Sequence, residues 1–397
     1  MSDVRIYLDH AATAPLRPEA RDAWVGAAAT AGNASSIHGA GQHARRVLEE
    51  ARERLAAVVG ADPIEIVFTS GGTEAVNLAV KGLWWARRPD SDAVVLPDGE
   101  HHATLDAVEW LEAQGAHLRH VGIDDAARIR VDEFAAALSG AALATALVAN
   151  NEAGTVNDGA ALSAAAAAAG VPLHLDAVAA FGHVPVSFRD WRGDARGRAG
   201  LAAMSLSAHK IGGPPGVGAL VVARGAELIA LLHGGGQQRR LRAGTQDVPG
   251  AVAFAVAAEL AEAERVSEAR RLAALRERLV RSILSSIPDA ELLGDPIDRV
   301  PGNAHLLFPG ASGETLLFLL DMAGVEVSTG SACQAGVPEP SHVVLAMGRT
   351  DAEARQVLRF TLGRTTTDSD VDAALAVLPD VVERARAASG PRSGRVS

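Results

Sequence analysis

At 397 residues the chain exceeds one ordinary domain and predicts two domains around a sizeable core. A net charge of −11 argues against a general nucleic-acid binder, which carries a basic face, so no direct nucleic-acid partner is expected. The longest apolar runs are broken by Gly, Arg or Asp and are too short to span a bilayer, and the start MSDVRIYLDHAATAP lacks a signal-peptide pattern. The expectation is a cytoplasmic protein with no membrane partner.

From about residue 42 the chain alternates helical and strand signals. Val47, Ala51, Leu55 and Val58 recur at helical spacing over residues 42–59, and Gly60 closes the run. Residues 64–69 (IEIVFT) read as a buried strand, which Gly71, Gly72 and Thr73 turn into a helix running through Ala86. Further strands are expected over 94–96, 118–121, 143–149, 173–176, 201–206 and 217–222, with helical stretches such as 104–114 and 160–169 between them. This alternation predicts an α/β fold with a mainly parallel sheet and helices on both faces. Residues 251–287 are rich in Ala, Leu, Glu and Arg without Pro and predict one long helix, after which shorter signals predict a smaller α+β domain. The expected division is a large domain over 15–255, a small domain over 1–14 and 256–387 that carries the cysteine loop, and a disordered tail over 388–397.

Two rare residue types single out chemistry. The lone cysteine, Cys333, excludes an intrachain disulfide. Only Lys81 and Lys210 are lysines, and arginine supplies every other basic position. Arginine stays protonated, whereas a buried lysine can lose its proton and form a Schiff base. Lys210 follows a buried strand in SLSAHKIGGPPGVG, beside Ser207 and His209, and its Gly-rich stretch follows the lysine, which is not the P-loop order. Lys81 lies on a helix and reads as a solvated-face residue.

Other segments fall at strand ends, where ligands collect in α/β sheets. Residues 69–74 (TSGGTE) let backbone N–H groups approach an anion and serve either as a phosphate cup or as a turn capped by Thr73 or Ser70. Asp176 ends a strand, either as the partner of a protonated pyridine nitrogen or as a turn residue. Cys333 stands among Ser, Thr, Gly and Gln in residues 328–336, which suits an accessible thiol on a mobile loop; a small buried hydrophobe is the alternative. Glu100-His101-His102, Asn150-Asn151-Glu152, Gly234 to Gly236 with Arg242 to Thr245, and RFTLG from Arg359 complete the candidates.

In this order the segments resemble the class V aminotransferase-type enzymes, specifically the cysteine desulfurases of the NifS/IscS type. The similarity runs from YLDHAAT at Tyr7 to RFTLGR at Arg359, through GNASSIHG, VFTSGGTEAVNLAVKG, NNEAGTV, SAHKIGGPPGVGAL, GGGQQRRLRAGT and STGSACQAGVPEPSH. It implies the fold type I of PLP-dependent transferases and a homodimer. Lys210 matches the lysine that holds pyridoxal 5′-phosphate as a Schiff base. Cys333 matches the cysteine that accepts sulfur as a persulfide, with the longer-loop spacing before Glu339 that marks the IscS-like group. His101 matches the histidine that stacks on the cofactor ring and assists proton transfer, and Asp176 the partner of the pyridine nitrogen. Asn151 matches an asparagine near the ring hydroxyl and substrate carboxylate, and Gly72, Thr73, Ser207 and His209 match the phosphate cup. Thr245 matches a threonine that reaches the phosphate in the other subunit. Arg359 matches the arginine that pairs with the substrate carboxylate, and Asn33 a residue at the substrate entrance. No metal ligands are among them.

The implied reaction converts L-cysteine to L-alanine and passes the sulfur to an acceptor protein. Iron–sulfur cluster assembly, tRNA thiolation, DNA phosphorothioation and sulfur-containing metabolites all draw on such enzymes. The chain departs from the pattern at Ala179, where a glutamine contacting the ring hydroxyl is usual. Ala208, Pro215, Gln238 and Ala243 also replace residues common in the family. Two other readings stand beside a desulfurase: another class V reaction such as selenocysteine lysis or β-elimination, and a non-catalytic PLP-fold scaffold.

Overall fold

The structure, a computed structural model, describes residues 5–330 and 339–389. Cys333, most of the cysteine segment and residues 390–397 of the expected tail lie outside the described residues. Twelve strands are described: β1 (Ile6–Tyr7), β2 (Ile66–Thr69), β3 (Ala93–Pro97), β4 (His117–Val121), β5 (Leu143–Leu147), β6 (Pro172–Asp176), β7 (Gly200–Ser207), β8 (Gly218–Val222), β9 (Glu291–Leu293), β10 (Asn303–Leu307), β11 (Val325–Glu326) and β12 (Val357–Thr361).

Seven of these form one sheet in the order β2-β8-β7-β6-β5-β3-β4. β4, β3, β5, β6 and β7 run parallel, and β8 is antiparallel to both of its neighbours. β2, β3, β5, β6, β7 and β8 are buried along their whole length, as strands covered by helices on both faces must be. The helix Gly39–Val59 ends at Gly60, whose φ of 65° is the left-handed conformation that a helix stop favours.

The structure corrects one expected strand. Residues 64–69 do not form a single strand; Pro63–Glu65 make a 3₁₀ turn and β2 starts at Ile66. Pro63 suits a first helical position, and the Glu65 carboxylate accepts from the Asp62 amide at 2.9 Å, so local capping overrides the apolar run.

The helix Val248–Ser286 links two hydrophobic cores. Up to Ala261 it packs in the core of the large sheet, and from Leu272 it packs in a second core with Leu8, Ala304, Leu306, Leu358 and Phe360. That second core lies on one face of an antiparallel sheet, β12-β10-β9, beside the short parallel pair β1 and β11. Side chains alternate across a strand, so Asn303, His305, Arg359 and Thr361 share the opposite face. Asn303, Arg359 and Thr361 line a cavity there, together with the carboxyl ends of the large sheet. No described helix is long and apolar enough to cross a membrane.

Candidate active site

The cavity holds about 420 Å³ and gathers side chains from the ends of β2, β3, β5, β6 and β7. Of the residues expected from sequence, Gly72, Thr73, His101, Asn151, Asp176, Ser207, His209, Lys210 and Arg359 all line it. Register explains part of this convergence: Leu147 pairs with Asp176 across β5 and β6, and Asp176 with Ser205 across β6 and β7.

Lys210 follows β7 in a single 3₁₀ turn, and its Nζ donates to the carbonyls of Ala11 at 2.5 Å and Ala12 at 2.9 Å. Burial, aided by the Arg359 charge, lowers its pKa to about 8, against the opposing pull of Asp9 and Asp176. A lysine in that range is neutral often enough near pH 8 to attack a carbonyl. Asp176 ends β6; burial raises its carboxyl to about 6, while the Val178 amide, donating at 3.0 Å, and Lys210 favour the ionised form. A cationic ring nitrogen placed beside it would restore the ordinary carboxylate.

His101 caps the helix His102–Glu112, its Nδ1 accepting from the Ala103 amide at 3.0 Å. The exposed part of its ring borders the cavity. Desolvation of the rest, then the charge of Lys210, brings the imidazole to about 4, so it is neutral at pH 7. At the other end Arg359 is buried and already held. Its Nη1 donates to the Asn151 carbonyl at 2.8 Å and its Nη2 to Asp9 at 2.9 Å.

The wall fits a phosphorylated pyridine ring on several counts. Ser207 Oγ and Asn151 Oδ1 are buried without a hydrogen-bond partner, a costly state unless a ligand completes them. Gly72 opens the helix Gly72–Trp85, and a Cβ there would lie 2.9 Å from Val178 Cγ2 and 3.5 Å from Ser207 Cβ, so the space beside Ser207 depends on glycine. Helix N-terminal amides and a hydroxyl across from them suit an anion. His209, lowered to about 4 by burial and Lys210, bonds Thr13 at 3.3 Å and closes this side.

Two expected site residues are not gathered here. Asn33 and Thr245 are exposed and do not line the cavity. Their loops meet elsewhere, where Gln237 accepts from the Gly244 amide at 3.1 Å and reaches Ser35 at 3.5 Å. Cys333 is outside the described residues. Ala179, the departure noted above, lines the cavity and offers no side-chain hydrogen bond.

The sequence assigned no role to other members of the site. Asp9 belongs to the YLDHAAT segment, but nothing local announces its pairing with an arginine 350 positions away. Glu100 is fully buried beside His101; burial raises it to about 8, and it accepts from the Leu147 amide at 2.8 Å. His183 lines the cavity and bonds the Lys210 backbone. It lies four residues after Ala179, in a stretch whose only signal was the neighbouring Asp176.

Residues 6–374 match the family model for aminotransferase class V. Over 98% of its length the chain is 48% identical to an "IscS-like cysteine desulfurase" of Mycobacterium tuberculosis, covering 99% of that protein. It is 39% identical to "Cysteine desulfurase IscS" of Dictyoglomus turgidum over 97% of this chain and 96% of that one. A solved structure described as a "NIFS-LIKE PROTEIN" superposes with a TM-score of 0.88 at 30% identity, over 96% of this chain and all of its own. The mainly parallel sheet between helices is the architecture of the fold type I PLP-dependent enzymes. The chain belongs to the class V aminotransferase family, among the cysteine desulfurases of the NifS/IscS type.

Proposed function

We propose that the chain converts L-cysteine to L-alanine in this cavity with pyridoxal 5′-phosphate, the sulfur leaving as a persulfide on Cys333. The observation that carries this reading is the meeting of Lys210, Asp176, His101 and Arg359 in one cavity. The cofactor, when bound, supplies a carbonyl for the lysine and a ring that stores the charge of an α-carbanion. Lys210 would hold it, Asp176 would pair with its ring nitrogen, and His101 would cover its face. Gly72, Thr73, Ser207 and His209 would take the phosphate, with Thr245 reaching the phosphate of the partner subunit in a homodimer.

Arg359 binds the substrate carboxylate, because a guanidinium held at Asp9 and Asn151 still has N–H groups free to meet two oxygens. Asn151, with its free Oδ1, and Asn33 at the entrance orient the substrate. Lys210 takes the α-proton, a task suited to an amine whose pKa lies near the working pH. The Cys333 thiolate attacks the substrate sulfur, the electrons of the C–S bond pass to carbon, and protons return to the β-carbon and, from Lys210, to the α-carbon to give L-alanine. The outer sulfur then passes to an acceptor protein.

Adding L-cysteine and a reductant to cofactor-loaded enzyme tests the scheme. Alanine and sulfide are expected in equal amounts, and both are expected to vanish in Cys333→Ala. Alanine or pyruvate formation that survives this change overturns the persulfide route in favour of elimination or transamination.

A further inference from the structure

The layer beneath the Arg359 end of the cavity holds a polar group that the scheme above does not use. His305 is fully buried in β10, and both ring nitrogens lack a hydrogen-bond partner, a state no other histidine among the described residues shares. It stands directly across the β10–β12 pair from Arg359, whose own Nε is also buried and unpartnered. Gly330 packs against it from above: a Cβ at Gly330, where φ is 89°, would come within 3.5 Å of His305 Nε2 and 3.2 Å of Glu152 Oε2.

Leu or Val would fill such a site at lower cost, because an uncompensated buried polar group weakens the fold. Groups of this kind persist where function uses them. The surroundings also fix the form of the ring. Burial, then the charges of Arg359 and Arg299, lower its pKa to about 3, so it adds no second cation to compete for an anionic substrate. It is an uncharged ring on the same face of the sheet as Arg359 and directly cross-strand from it, and the outer nitrogens of that guanidinium are tied to Asp9 and Asn151.

We infer that His305 is a positioning residue for substrate binding, holding Arg359 so that only its terminal N–H edge meets the α-carboxylate. This rests on the reading of Arg359 as the carboxylate arginine. It predicts a selective defect. His305→Leu should raise KM for L-cysteine about tenfold with kcat changed less than about threefold, a pattern expected when ground-state and transition-state binding fall together. The melting temperature of the cofactor-free protein should stay the same or rise, because two unpartnered nitrogens are removed. His305→Asn should recover part of the KM, and serves as the second variant if the leucine form does not fold.

Arg359→Ala, measured alongside, separates two failures. If it raises KM strongly while His305→Leu leaves KM unchanged, the positioning role is overturned and the arginine reading stands. If Arg359→Ala leaves KM unchanged, both fall. A fall in kcat of His305→Leu without a change in KM also overturns the inference.

Discussion

The two ends of the cavity are built differently. The lysine end sits on the carboxyl ends of adjacent parallel strands, and Lys210, Asp176 and Ser207 arrive there from β6 and β7 within one continuous core. The arginine end is assembled from distant pieces: Asp9 near the start, Asn151 after β5 and Arg359 in β12 of the second sheet. The first end carries the displaced pKa values of Lys210 and Asp176, while the second carries a cation with its terminal nitrogens already paired. In the proposed scheme chemistry is concentrated where a single sheet fixes positions, and recognition of the substrate falls where two sheets meet.

Variants at each end test this contrast. At the lysine end, Asp176→Ala removes the group proposed to stabilise charge in the ring, and kcat should fall about 10²–10³-fold, the scale of losing one preorganised electrostatic partner. A fall below tenfold in steady-state assays would place the electron-sink role elsewhere. At the arginine end, Arg359→Ala should act mainly on KM. Loss of charge-assisted hydrogen bonds worth about 1.5–3 kcal/mol lowers kcat/KM roughly 10–150-fold. Equal loss in kcat would erase the distinction between the two ends.

The pKa of Lys210 sharpens the first end further. Below about 8 the amine is mostly protonated, so the rate of reloading cofactor-free protein with pyridoxal phosphate should rise roughly tenfold per pH unit and level off near pH 8. A rate still climbing towards pH 10 in stopped-flow absorbance would contradict the depressed pKa. The sign is that of a buried cation, whose neutral form the fold favours. The smallest effect belongs to Ala179. Ala179→Gln restores a side-chain donor in the cavity wall, and one hydrogen bond of about 0.5–1.5 kcal/mol should tighten cofactor binding about two- to twelvefold. Unchanged affinity in an equilibrium titration would mean that His183 or another wall residue already fills this role.

Legibility in the sequence follows the same contrast. The central strands were readable because they are short apolar runs between helical segments, and their bounds moved by only a residue or two. Lys210 stood out because arginine replaces lysine nearly everywhere else. Residues 64 and 65 misled because Ile-Glu-Ile alternates like a strand, while the deciding signal was Asp62 and Pro63 just before them. The role of the arginine end was legible only through resemblance. Asp9 and Arg359 are an ion pair with no short-range signature, and His305 sits in an apolar run, Ala304 to Phe308, where it reads as part of a strand. Residues that join two sheets have no periodicity to betray them.

The most direct test of the account follows the absorbance of purified protein as pyridoxal phosphate is added, in the natural sequence and in Lys210→Ala, and then adds L-cysteine. A near-visible Schiff-base band that only the natural sequence forms is expected, followed by L-alanine and sulfide in equal amounts. A band of equal strength in Lys210→Ala, or no band in either, would contradict the assignment of this cavity as the cofactor site.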